Sequence, residues 1–191
     1  MSKIVLLVMD FQEDILSLHE QGGSRAALDQ ANKAIATARS AAVPVVFVRV
    51  AYRAGFTDAS DRNKRVSLMK QKGILLEASP GAKLSAQLDV RDHDPVVTKR
   101  RVSALAHTDL RSILTTAQCD TLVLCGLSTS GVVLSTVRQA VDDDFRVAVL
   151  SDACADADAE AHDILMRKIF PSQADVLPVA GFAEYVANAA M

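Results

Sequence analysis

Short runs of apolar residues alternate along the chain with stretches in which apolar residues recur at helical spacing. The runs are rich in valine, isoleucine and leucine, and few polar residues interrupt them, which is typical of parallel strands covered on both faces. The predicted strands cover residues 4–9, 43–50, 96–98, 121–125, 147–150 and 174–176. The predicted helices cover residues 25–41, 108–117, 130–143, 159–170 and 181–189. This alternation predicts an α/β fold of three layers, α/β/α, with a Rossmann-like, doubly wound, six-stranded and mostly parallel sheet.

One segment, residues 52–81, fits neither the strand period nor the helix period and carries scattered charge. We expect an excursion of loop and irregular helix over the edge of the sheet, a kind of segment that often covers a binding site. The basic clusters at 62–65 and 99–101 are interpreted for most of their members as solvated faces.

Length and composition narrow the class of protein. A chain of 191 residues with 50% hydrophobic residues can bury one sizeable core, which predicts a single domain over 1–191. The net charge of −2 leaves no electrostatic footprint for nucleic acid or an anionic membrane, so small molecules or identical subunits are the expected partners. Three cysteines without C-x-x-C spacing, and no apolar stretch long enough to cross a bilayer, predict a cytoplasmic protein with reduced thiols.

Two charged residues directly follow predicted strands. Asp10 ends the first strand and Lys99 ends the third, and in a parallel sheet such positions meet at one edge, where ligands bind. A carboxylate beside an ammonium in a dehydrated crevice is suited to proton transfer, because each group sets the pKa of the other. The structural alternative is that Asp10 only caps a turn and Lys99 is a solvated strand end.

The turn after the fourth strand is a second candidate. Gly126 permits a backbone turn that other residues resist, and a helix is predicted to begin a few residues later. The amides of Gly131 and Val132 would then point into the same crevice and form an anion or oxyanion site. A plain βα turn is the alternative.

Five motifs, taken in order along the chain, strongly resemble the isochorismatase-like hydrolase superfamily. They are VMDFQ at 8–12, VTKRRVSA at 97–104, TDL at 108–110, GLST at 126–129 and SDAC at 151–154. Each motif is weak by itself, but five in this order are specific, and they cover nearly the whole chain.

The resemblance implies a catalytic set of an aspartate, a lysine and a cysteine nucleophile. Asp10 and Lys99 match the first two, whereas the position of the cysteine is occupied by Val132, and no cysteine occurs between positions 126 and 153. Cys119, Cys125 and Cys154 lie elsewhere, and none has the exposed, electropositive setting that a reactive thiol needs. A thioester mechanism is therefore not expected. The subfamily that gives the superfamily its name also lacks the cysteine and hydrolyses an enol ether with the aspartate as proton donor.

Three hypotheses remain open. The first is an isochorismatase-like small-molecule hydrolase that uses Asp10 and Lys99 for acid–base chemistry without a cysteine nucleophile. The second is an amide or ester hydrolase in which Asp10 activates water. The third is a catalytically silent binding protein of the same fold. No cofactor and no catalytic metal are expected, because residues 52–60, where metal-binding relatives carry paired histidines, contain none.

The remaining site predictions concern the walls of the crevice. We expect the substrate or an oxyanion to contact Gln12, Phe11, Tyr52, Leu127, Ser128 and Gly131. The resemblance also implies a non-proline cis peptide near Leu127 and Ser128, and a homo-oligomer, either a dimer or a tetramer.

Overall fold

The computed structural model describes residues 3–189, so the four terminal positions of the predicted domain 1–191 lie outside the described residues. Six strands form one sheet in the order β3-β2-β1-β4-β5-β6. Every neighbouring pair in this order is parallel. The strands are β1 (Ile4–Met9), β2 (Val45–Val50), β3 (Val96–Lys99), β4 (Thr121–Leu127), β5 (Arg146–Ala155) and β6 (Asp175–Leu177). The predicted α/β fold is confirmed.

Between residues 3 and 189, seven α-helices connect or flank these strands. They are α1 (Glu13–Leu18), α2 (Ser24–Ser40), α3 (Lys64–Lys72), α4 (Leu110–Thr116), α5 (Leu134–Asp142), α6 (Ala159–Ile164) and α7 (Phe182–Ala189). Every residue of β1 and β4 is buried, as expected of central strands covered on both faces. Among residues 3–189, no helix is long and apolar enough to cross a bilayer.

Two strands, β4 and β5, extend at least two residues beyond the predicted bounds. β4 continues to Leu127, and β5 continues five residues past Leu150, because the register between them shifts after Leu124 and lets Gly126 pair with Cys154. The role predicted for Gly126 is therefore wrong: it lies inside β4 rather than at a turn. A Cβ at this position would lie 2.6 Å from the Met9 carbonyl oxygen of β1, so the close approach of the two strands requires glycine.

The 52–81 excursion contains one regular helix, α3, that the hydrophobic pattern does not reveal. Asn63 caps it, since its side-chain oxygen accepts hydrogen bonds from the amides of Arg65 (3.1 Å) and Val66 (3.2 Å). Val66 is the only residue of α3 that is fully buried, which explains the absence of an apolar stripe. The predicted helix 130–143 also differs, because it begins with a wide π-type turn over Thr129–Val133 before α5.

The strand order reverses between β1 and β4. From β1 the chain adds β2 and β3 towards one edge of the sheet, and from β4 it adds β5 and β6 towards the other edge. Open parallel sheets bind ligands at the carboxyl ends of strands next to such a reversal. The residues that follow β1 and β4, Asp10 and Ser128, therefore flank the expected crevice.

Candidate active site

A cavity of about 70 Å³ lies at the carboxyl ends of the central strands. It is lined by six of the predicted site residues: Asp10, Lys99, Tyr52, Leu127, Ser128 and Val132. The binding sites of drug-sized ligands occupy roughly 300–1,000 Å³. This cavity therefore suits a substrate of only a few heavy atoms.

Asp10 and Lys99 form a buried ion pair, as the sequence predicts. Lys99 Nζ lies 2.8 Å from Asp10 Oδ2, and the two side chains are only 2% and 6% exposed. Lys99 Nζ also donates to the Arg101 carbonyl (3.2 Å), which fixes the ammonium at the end of β3. Asp10 has a left-handed backbone, with φ of 61°, so the chain turns sharply as it leaves β1.

The second carboxylate oxygen of Asp10 has no hydrogen-bond partner among the described residues, although it is buried. Burial raises the pKa of Asp10 above its ordinary value, and the charge and hydrogen bond of Lys99 and the charge of Arg65 oppose this rise only in part. A carboxyl group with a raised pKa and one unpartnered oxygen can take up or give up a proton at a bound ligand.

The turn after β4 shapes the opposite wall of the cavity. The Leu127–Ser128 peptide is cis, as the family resemblance implies. The Gly131 amide donates to the Ser128 carbonyl (3.1 Å), and the Val133 amide donates to the same oxygen (3.2 Å). Because the Gly131 amide is already used within the turn, the predicted oxyanion cradle lacks this donor. Val132, which the motif resemblance aligns with the family cysteine, is 2% exposed and presents an aliphatic side chain to the cavity.

Phe11 and Gln12 do not line the cavity. Phe11 is fully buried in the hydrophobic core. The Gln12 amide nitrogen donates to the carbonyls of Val50 (2.8 Å) and Ala82 (2.7 Å), and its oxygen accepts from the Val50 amide (2.8 Å). Gln12 therefore ties the end of β1 to β2 and to the chain at Ala82, and the structure gives it a structural position in place of the predicted contact with substrate.

Arg65 and His19 are among the cavity residues that were not predicted. Arg65 of α3 reaches the cavity and donates from Nη2 to Ser128 Oγ (2.9 Å), although it belongs to the cluster interpreted as a solvated face. His19, which ends α1, also lines the cavity, and its Nδ1 atom is buried without a partner among the described residues. Burial and the charge of Arg65 lower the pKa of His19, while the charge of Asp156 opposes them. Val66 and Met69 of α3 line the same cavity, but they form no apolar stripe that would mark this face of the helix in the sequence.

None of the three cysteines lines the cavity. Cys125 is fully buried on β4, and its thiol lies 3.6 Å from the Leu7 carbonyl. Burial raises the pKa of Cys119 to about 11 and of Cys154 to about 12, and it raises the pKa of Cys125 well above the ordinary value. Since the thiolate is the reactive form, these settings are typical of inert thiols. In the described part of the chain, no three His, Cys, Asp or Glu side chains are grouped so that they could hold a metal ion.

Comparison with known proteins agrees with this geometry. The Isochorismatase domain family matches residues 4–181. The chain belongs to the isochorismatase family. Within it, the chain is 34% identical over 185 residues to the uncharacterized isochorismatase family protein YecD of Escherichia coli O157:H7, with 91% of each chain covered.

Two further comparisons agree with this family assignment. The maleamate amidohydrolase of Pseudomonas putida is 27% identical over 180 residues, which cover 92% of this chain and 83% of that protein. A solved structure of an isochorismatase family protein from Burkholderia thailandensis superimposes with a TM-score of 0.82 at 25% identity, covering 97% of this chain and 96% of that one. The chain is thus a member of a hydrolase family, and the resemblance noted in its sequence is confirmed.

Proposed function

We propose that this isochorismatase-family chain is a small-molecule hydrolase in which Asp10 donates the proton, Lys99 is its electrostatic partner and no cysteine acts as nucleophile. The working unit is one domain over 1–191. Its cytoplasmic location, its assembly into a dimer or tetramer and its independence of cofactors remain predictions.

The observation that carries the proposal is the buried Asp10–Lys99 pair, with one free carboxylate oxygen, opposite Val132. A buried ion pair is weak evidence of stability, because removing two charges from water costs about as much free energy as their attraction returns. A pair in such a position is better explained by a role in proton transfer. The valine leaves the cavity without a thiol, since Cys119, Cys125 and Cys154 all lie outside it.

The chemistry for an enol ether substrate follows from these groups. The Asp10 carboxyl gives its proton to the terminal carbon of the enol ether, and the resulting oxocarbenium ion takes up a water molecule. That water returns a proton to Asp10, and the hemiketal collapses to a carbonyl compound and an alcohol. Lys99 stabilises the Asp10 carboxylate while the proton is on the substrate.

A second candidate is hydrolysis of an amide or ester in which the Asp10 carboxylate removes a proton from the attacking water. The similarity to a maleamate amidohydrolase favours this candidate. The two candidates require opposite protonation states of Asp10. Because burial raises the pKa of Asp10, a proton donor is active below the raised pKa and loses activity as the pH rises through it. A general base gains activity over the same pH interval.

The experiment that tests the proposal is a pH–rate profile on a panel of small amides, esters and enol ethers, with the wild-type chain and with Asp10→Asn. We expect turnover of at least one substrate class, with a rate that falls as the pH rises through the raised pKa of Asp10. The rate of Asp10→Asn should be about 10²- to 10⁴-fold lower than that of the wild type. A profile that rises with pH supports the water-activation mechanism instead. Ligand-induced thermal stabilisation without turnover of any class would indicate a silent binding protein and would refute the proposal.

A further inference from the structure

Arg65 is a cation without a carboxylate partner at the mouth of the cavity. In residues 3–189 no Asp or Glu side chain forms an ion pair with it, whereas Arg39 and Arg100 each contact two carboxylates. Within the described residues, the guanidinium makes one hydrogen bond, from Nη2 to Ser128 Oγ, although it carries five N–H donors. The Arg65 guanidinium therefore has N–H donors at the cavity mouth that are available to a ligand.

Gly131 makes room for this guanidinium. A Cβ on Gly131 would lie 2.8 Å from Arg65 Nη2 and 2.6 Å from Ser128 Oγ. Glycine at this position lets the guanidinium lie against the turn that carries Val132, next to the Asp10–Lys99 pair. The charge of Arg65 is close enough to both Asp10 and His19 to act on their protonation.

His19 supplies a second polar group to the same cavity. The residue is 9% exposed, and its Nδ1 atom has no partner among the described residues. Its carbonyl accepts hydrogen bonds from the amides of Gly22 (3.0 Å) and Ser24 (3.3 Å), which hold its backbone in a tight turn. A buried polar group that makes no hydrogen bond lowers stability, so a polar ligand group is the natural complement of this imidazole.

The charges of the cavity favour an anion. Asp10 is matched by Lys99, and Arg65 and Arg101 are the further cations on the lining. Arg101 is engaged by the carbonyls of Asp58 (3.0 Å) and Arg100 (2.7 Å), which leaves Arg65 as the cation available at the mouth. Aliphatic side chains of Ile15, Val66 and Leu75 line the space nearby and suit a short hydrocarbon chain.

We infer that His19 and Arg65 form a subsite for a carboxylate group of the substrate, so that the substrates are short carboxylic acids with the hydrolysable bond at the opposite end from the carboxylate. This inference rests on the proposed function and names the substrate class of the same site. The planar guanidinium binds a carboxylate through paired N–H donors, and the imidazole N–H adds another donor from the far wall. The carboxylate replaces Ser128 Oγ as the acceptor of Arg65, and the remainder of the substrate lies toward Asp10.

The test uses probes that differ only at the end remote from the scissile bond. Succinamate and methyl hydrogen succinate carry a carboxylate there, and succinamide and dimethyl succinate are their uncharged counterparts. Binding to the full-length chain is measured by calorimetry, and turnover is measured separately. The variants are Arg65→Gln and, as a matched loss of one charge from the same exposed segment, Arg62→Gln.

The charged probes should bind at least about 10-fold more tightly than the uncharged ones, because hydrogen bonds between charged groups contribute about 1.5–3 kcal/mol. Arg65→Gln should weaken binding of the charged probes by about 10- to 100-fold and leave the uncharged probes within about 3-fold. Arg62→Gln should change neither. His19→Leu should weaken the charged probes by about 3- to 10-fold, and His19→Gln, which keeps an N–H donor, should restore part of that loss.

Equal binding of charged and uncharged probes, failure of both charged probes to bind, or an unchanged preference in Arg65→Gln would overturn the subsite. The outcomes also separate this inference from the proposed function. A charge preference without turnover of any probe keeps the subsite and counts against hydrolysis of amides and esters. Turnover with no charge preference keeps the hydrolase and removes the subsite.

Discussion

Removing the ammonium of Lys99 should destabilise the fold, because the buried Asp10 carboxylate then has no partner. Lys99→Met leaves the Asp10 carboxylate in a site where it is 6% exposed, without the partner 2.8 Å away. Breaking a buried pair in this way destabilises proteins by about 3–5 kcal/mol, since one charge stays buried and uncompensated. For a chain of this length the melting temperature should fall by about 6–20 °C.

The double variant Asp10→Asn, Lys99→Met should recover most of this loss, because it replaces both charges with neutral side chains of similar size. The pH dependence of the single variant has a definite sign. Burial already raises the pKa of Asp10, and loss of Lys99 raises it further. The protonated form is stable in the fold, so the deficit of Lys99→Met should be small below the unfolded-state pKa and should grow as the pH rises through the folded-state pKa.

The measurement is a double-mutant cycle. Circular dichroism gives the melting temperatures of the wild type, the two single variants and the double variant across pH. All three variants should lack turnover, whatever their stability. The reasoning is refuted if Lys99→Met melts within about 1 °C of the wild type, or if the two single effects simply add in the double variant.

Three further predictions concern the turn and the thiols. Val132→Cys places a thiol beside two cations in the cavity, so iodoacetamide should modify it faster than any native cysteine, as peptide mass mapping can show; equal rates would contradict the placement of Val132. With pKa values of about 11 for Cys119 and about 12 for Cys154, both should react with a disulfide reagent much more slowly in the folded chain than in urea, and fast reaction without denaturant would contradict their burial. Gly131→Ala should displace the Ser128 hydroxyl and the flexible end of Arg65 and should weaken succinamate binding by about 10-fold, whereas unchanged binding would contradict the position of the guanidinium.

The ends of the buried strands are where sequence reasoning located the site. Asp10 follows an uninterrupted apolar run and Lys99 ends the short strand VVTK, and parallel strands bring such ends to one edge of a sheet, so their convergence could be predicted. Counting from the family motif at 126–129 also directed attention to Val132, which lines the cavity.

The sequence did not predict which other side chains face the cavity. Phe11 and Gln12 were expected on the cavity because they follow Asp10 directly, but the left-handed backbone at Asp10 turns the chain and directs them into the core and toward β2. Arg65 lies on a helix with a single fully buried residue, so no apolar stripe marks which face points inward. His19 reaches the cavity from the end of a short helix that the hydrophobic pattern does not show.

The central claim, hydrolysis without a thiol, is tested most directly by a chain that has no cysteine. Cys119→Ser, Cys125→Ala and Cys154→Ala are combined, and kcat/KM is compared with that of Asp10→Asn on a substrate that the wild type turns over. Because all three thiols lie outside the cavity, the cysteine-free chain should keep its kcat/KM within about threefold, and Asp10→Asn should lose about 10²- to 10⁴-fold. Mass spectrometry of the wild type during turnover should show no substrate-derived adduct on any cysteine, even if the triple variant folds poorly. A covalent adduct on a thiol, or a folded cysteine-free chain without activity, would contradict the account.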